Sequence, residues 1–114
     1  MRGVELKIFL SGKMAGLPKE KCRYLFEKAQ RELEYKGHNV ANPVKIAQGL
    51  PESFTREQCI DVQLCALKYC DAIYMLNDFK NSQGAMEELN FAHNCGIEII
   101  YENPAQAIAF GDED

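Results

Sequence analysis

A chain of 114 residues with 13 Lys and Arg against 17 Asp and Glu, a net charge of −4, suits one domain and offers no basic run able to follow a nucleic-acid backbone. Its apolar runs fall far short of a membrane span, and Met1-Arg2-Gly3 leads into a strand-like segment rather than a signal-peptide core, so a cytoplasmic protein with no membrane and no polymeric nucleic-acid partner is expected. Five cysteines, at 22, 59, 65, 70 and 95, lack CxxC spacing; reduced, mostly buried thiols are expected, with no disulfide framework, no metal site and no cofactor.

Glu5 to Leu10 is a short apolar-rich strand that ends in Ser11-Gly12. A loop with two glycines around a lysine follows, Gly12-Lys13-Met14-Ala15-Gly16, and Pro18 stands where the first turn of a helix accepts proline. Cys22, Phe26, Ala29 and Leu33 then recur at i, i+4, i+7, i+11, and Gly37 ends the helix. His38 to Ala41 reads as a brief second strand. Asn42-Pro43 is expected to break it before a loop holding Gly49 and Pro51.

The next helix is capped by Ser53 or Thr55, the latter in a capping box with Gln58, and its buried face is expected at Ile60, Leu64 and Leu67. Asp71 to Leu76 reads as a central strand, nearly continuous in apolar residues and so buried on both sides. A third long helix stops at Gly96, Ile97 to Tyr101 forms a fourth strand, and Asn103-Pro104 caps a short last helix to about Phe110. Strands alternating with helices of these lengths predict an α/β fold, a single-domain doubly wound parallel sheet of four to five strands in a flavodoxin-like or Rossmann-like three-layer sandwich. The domain is expected over residues 1–110, with 111–114 as a frayed acidic tail.

In such sheets ligands bind beyond the carboxyl ends of the strands, so the loop after the first strand and the stretch Asn81 to Glu88 are expected to meet in one cleft. Ser82 is a good N-cap, and Gly84 leaves the backbone bare to an approaching ligand. Ala85, Leu89 and Ala92 then face the sheet. Glu88 follows Gly84 by one turn on that side, while Glu87 is turned by about a hundred degrees toward water. A carboxylate beside an apolar stripe is costly to desolvate, which marks Glu88 as the candidate for nucleophilic or acid–base chemistry; an acid favoured by the helix macrodipole is the plainer alternative. Ser11 to Gly16 form a candidate anion site, with Lys13 either a phosphate ligand or an exposed lysine. Asp71 and Asp78 are further candidates, the second against ordinary turn chemistry. His38, His93, Tyr74 and Met75 are not expected to act on a ligand.

The segments KIFLSGKMAGLP, GHNVANP, CDAIYML and NSQGAMEELNFAHNCG resemble the nucleoside 2-deoxyribosyltransferase-like superfamily, in particular its branch of small, largely uncharacterised bacterial and phage proteins, over nearly the whole chain. The specific part is Ser-x-Gly-x-x-x-Glu, which falls on Ser82, Gly84 and Glu88. The resemblance implies that Glu88 attacks the anomeric carbon of a nucleoside or nucleoside 5'-monophosphate and that the base leaves, with water or a second base resolving the glycosyl-enzyme. It also implies that Ser82 and the Ser11–Gly16 loop hold a 5'-phosphate, and that the chain assembles as a homodimer or larger homo-oligomer. Where relatives carry a second acid, eight residues before the aspartate opening the third strand, this chain has Gln63, which can hydrogen-bond a base but cannot exchange a proton at neutral pH. Two functions are therefore expected: an N-glycosidase or deoxyribosyltransferase, or a non-catalytic nucleotide-binding or sensing module in the same cleft. A phosphoacceptor receiver domain shares the fold class but lacks its acidic cluster here.

Overall fold

The structure, a computed structural model, describes residues 4–110; the acidic tail expected at 111–114 lies outside the described residues. Four strands, β1 (Lys7–Ser11), β2 (Asn39–Ala41), β3 (Ala72–Met75) and β4 (Glu98–Tyr101), form one parallel sheet in the order β2-β1-β3-β4. The register sets Ile8 beside Ala72 and Ser11 beside Met75. Four α-helices cover it: α1 (Lys19–Tyr35), α2 (Pro43–Gln48), α3 (Arg56–Lys68) and α4 (Gln83–Asn94). This is the flavodoxin-like α/β architecture that the alternation of strands and helices predicts.

The period of two along β1 divides the core. Ile8 and Leu10 point to one face, where they meet Cys22, Phe26, Ala29 and Leu33 of α1. Phe9 points to the other, with Ile73 and Met75 of β3, Leu67 of α3, and Ala85, Leu89 and Ala92 of α4. The chain reverses its order between β1 and β3, and α1 and α4 accordingly lie on opposite faces. That reversal opens a crevice above the carboxyl ends of these two strands.

Several boundaries differ from expectation for identifiable reasons. Pro18 precedes α1 as its cap residue, so the helix begins at Lys19. Asn42-Pro43 opens a helix where a loop was expected: the Asn42 side chain accepts from the Val44 amide at 3.0 Å, Pro43 occupies the first helical position, and Val44 and Ile46 pack against the two cores. Thr55 and Gln58 do form the capping box of α3, but its buried residues are Gln63 and Leu67, while Ile60 and Leu64 are half-buried. The last helix is reduced to one 3-10 turn at Pro104–Gln106. Tertiary anchors draw the chain away: the Ile108 amide donates to Tyr101 Oη at 3.2 Å, and Phe110 stacks on His93 at 3.9 Å between ring centroids. Of the cysteines only Cys22 is buried, and Cys65 and Cys95 are exposed, so the thiols are not mostly buried as expected.

Candidate active site

Two local rules bring the key side chains together. Ser11 follows Phe9 by two residues, so its side chain is delivered to the α4 face at the carboxyl end of β1, where it is fully buried. On the other side, Ser82 caps α4 by accepting from the Ala85 amide at 3.1 Å, and Ala85, Leu89 and Ala92 seat the helix on the sheet. Glu88 lies three residues past Ala85 on the flank of that stripe. The result is a hydrogen bond spanning 77 residues of sequence, Ser11 Oγ donating to Glu88 Oε1 at 2.6 Å.

That distance is in the range of strong hydrogen bonds to a carboxylate. The surroundings nonetheless hold the proton on Glu88: burial pushes its carboxyl up to about 7, with a smaller push from the neighbouring Glu87 charge, and the Ser11 bond pulls the other way. Near neutral pH the group is thus divided between acid and carboxylate. Such a group can act as nucleophile or as proton donor with little change in conditions.

Glu88 lines a cleft of about 610 Å³, a size usual for small-molecule sites, while its partner Ser11 is fully buried. Of the expected residues, Gly12, Met14, Gln63, Ser82, Gly84 and Glu88 line it. The loop after β1 and the start of α4 therefore do share one cleft. Gly12 is fixed by packing as much as by access, since a Cβ there would lie 2.9 Å from Cβ of Leu76. Gly84 has open space, its nearest neighbour to an added Cβ being Ser82 Oγ at 3.9 Å. The amides of Gln83 and Gly84, in the first turn of α4, have no partner within the helix and carry the positive end of its dipole.

Other expected residues stand elsewhere. Asp71 precedes β3 and so lies at the amino end of a parallel sheet, opposite the cleft, where its Oδ2 accepts from the Lys7 amide at 2.9 Å. Asp78 adopts the left-handed region at φ 69° and its amide donates to Gln106 Oε1 at 3.2 Å, a turn role outside the cleft lining. Lys13 turns away, its Nζ donating to the Asn81 carbonyl at 3.5 Å. Gly16, at φ +86°, is an exposed turn glycine. Asp61, the nearest acid to Gln63 on α3, is exposed.

Sequence reasoning missed Ala47, Arg56, Cys59, Ile60 and Leu64 on the α2–α3 wall, and Phe91 on α4. Arg56 is the one cationic side chain lining the cleft among the described residues. Its signal was its place directly after the Thr55 cap. Phe91 carried one too, standing three residues after Glu88 on the same helical flank. No group of three or more His, Cys, Asp or Glu side chains able to hold a metal ion occurs among the described residues.

A parallel sheet with an acid at the carboxyl ends of its central strands defines, together with the structural comparisons, a protein of the nucleoside 2-deoxyribosyltransferase-like fold. The CMP N-glycosidase BcmB of Clostridium botulinum superposes with a TM-score of 0.60 at 26% identity, over 83% of this chain and 69% of that one. The 2-deoxyribosyltransferase of Bacillus psychrosaccharolyticus shares the fold with a TM-score of 0.69 at 20% identity, over 91% of this chain and 77% of that one. In sequence, the chain belongs to the family described as Domain of unknown function (DUF4406), whose model matches residues 6–101. No protein of curated function matches it.

Proposed function

We propose that this protein cleaves the N-glycosidic bond of a nucleoside or nucleoside 5'-monophosphate, with Glu88 as nucleophile. The observation that carries the reading is the Ser11–Glu88 pair: a carboxyl set in an apolar cleft, with one oxygen held by a buried hydroxyl at 2.6 Å and the other left to react. The N-glycosidase and deoxyribosyltransferase neighbours support the same class of chemistry.

In this reading the cleft is read along α4. The Gly12–Ala15 loop, Ser82 and the first-turn amides take the 5'-phosphate. Glu88 lies one turn beyond Gly84, about 6 Å along the axis, which matches the reach from a nucleotide's phosphate to its anomeric carbon. The base lies against Phe91 and the α3 wall. Ionised Glu88 forms a bond to the anomeric carbon as the carbon–nitrogen bond breaks, the electron pair leaving with the base; water or a second base then attacks the same carbon and returns the carboxylate. Ser11 orients the attacking group and bears part of its charge. Assembly as a homodimer or larger homo-oligomer and a cytoplasmic setting belong to the same proposal.

A second reading, a module that binds a nucleotide without cleaving it, is favoured by Gln63, a neutral amide buried in the cleft wall that offers the leaving base no proton. Chromatography of ribo- and deoxyribonucleoside monophosphates and free nucleosides incubated with the protein and with Glu88→Gln separates the two. Release of free base that the variant abolishes is expected. Saturable binding of a nucleotide that remains intact for hours would select the binding module instead.

A further inference from the structure

Gln63 is only 9% exposed, and its amide atoms are not equivalent. Nε2 donates to the Pro43 carbonyl at 3.0 Å. Because that carbonyl can only accept, the amide cannot be turned over without setting oxygen against oxygen. Oε1 is thereby fixed as the other end, shut off from solvent and without a hydrogen-bond partner, the sole buried side-chain atom of this kind among the described residues.

Buried acceptors are nearly always paired, so an orphan in the wall of a cleft marks the place of a missing donor. No donor among the described residues bonds to it. Ser11 gives its proton to Glu88, Ser82 sits at the start of α4 where its Oγ accepts from the Ala85 amide, and Arg56 stands two helical turns up α3 with its side chain at the surface. The donor is therefore sought in the molecule that occupies the cleft.

We infer that Gln63 determines which base the cleft accepts, its Oε1 receiving a hydrogen bond from an exocyclic amino group, so that amino-bearing bases of the cytosine or adenine class are taken over their oxo counterparts. The inference rests on the nucleotide reading of the cleft proposed above. An exocyclic amine projects furthest from the ring and so reaches an acceptor recessed in the wall, while an oxo group there would oppose two sets of lone pairs. Contact requires Gln63 to swing slightly about its terminal torsion, which is broad for an sp³–sp² bond.

The test uses matched pairs that differ at that one group, the 5'-monophosphates of cytidine and uridine and of adenosine and inosine, ribo and deoxy. For the wild-type protein the amino member of each pair is expected to be favoured about tenfold to a hundredfold in kcat/KM, or in affinity for Glu88→Gln, each tenfold being about 1.4 kcal/mol. The N4,N4-dimethyl analogue of cytidine monophosphate, which has no N–H to give, is expected to fall with the oxo compounds. Gln63→Leu and Gln63→Met should bring the members of each pair within about threefold, the folding of both being checked by circular dichroism and melting. Equal treatment of the pairs by the wild-type protein, preference for the oxo member, or discrimination that survives in the Gln63 variants each overturns the inference. Base release that depends on Glu88 but ignores the amino group leaves the glycosidase reading standing and removes this one. Neither release nor binding of any member removes both.

Discussion

Replacing Glu88 by Gln should stabilise the protein, and more so the higher the pH. In the unfolded chain this carboxyl ionises near its ordinary 4.5, whereas in the fold burial holds it at about 7. Below 4.5 both states carry the proton, and the group contributes no pH dependence. Between the two values the folded state keeps a proton that the unfolded state has released, so stability falls as pH rises. Above about 7 the loss is complete. At 1.36 kcal/mol per pH unit the gap amounts to about 3 kcal/mol, an upper figure because solvent reaches part of the side chain. Gln keeps the shape and the acceptor oxygen for Ser11 but has no proton to lose. The difference in unfolding free energy between variant and wild type, followed by urea or thermal denaturation from pH 4.5 to 8.5, should grow by up to about 3 kcal/mol, or on the order of 10 °C in Tm for a domain of this size. A difference that stays flat across this range would refute the burial argument. One that grows in the opposite direction would mean that the fold favours the ionised carboxylate.

Since a nucleophile must be ionised, kcat/KM for base release should rise with pH through about 7 and level off above it. Ser11→Ala removes the bond that pulls the Glu88 value down, so the rise should move to higher pH and the plateau should drop, as read from pH–rate profiles of the two proteins. Gly84→Ala should fold with equal or slightly greater stability, by up to about 1 kcal/mol from helix propensity, since an added Cβ meets nothing closer than Ser82 Oγ at 3.9 Å. Its KM for monophosphates should rise, and an unchanged KM would place the phosphate elsewhere. Asp71→Asn, at the far end of the sheet, should leave kcat/KM within about twofold, because water can replace its exposed bond to the Lys7 amide. Ser82→Ala should cost about 1 kcal/mol of stability, measured by denaturant titration, through loss of the α4 cap.

What the sequence disclosed follows from how local each feature is. The Ser82 cap, the Ala85, Leu89 and Ala92 stripe and the position of Glu88 beside it depend only on the helical period, and all three hold in the structure. The Ser11–Glu88 bond was not legible, because the alternation along β1 separates Ser11 from Leu10 without saying which of the two faces receives α4. Asp71 was misplaced although the rule that excludes it was at hand, since a residue that opens a parallel strand faces away from the carboxyl ends where ligands bind. Asn42-Pro43 carried two opposite signals, a strand breaker and a cap followed by a first-turn proline. Packing of Val44 and Ile46 decided between them. Lys13 looked like an anion ligand between its glycines, yet its flexible stem reaches the Asn81 carbonyl, while the cleft's cation comes from Arg56.

The role of Glu88 is tested most directly by looking for the bond it is proposed to make. The protein is mixed briefly with deoxyribonucleoside monophosphates, quenched in acid, digested and examined by mass spectrometry for a deoxyribose phosphate ester on the peptide that contains Glu88. The account predicts that adduct in the wild-type protein and in Ser11→Ala at lower yield, and neither the adduct nor free base in Glu88→Gln. Base released by Glu88→Gln at the wild-type rate, with no adduct in either protein, would contradict it.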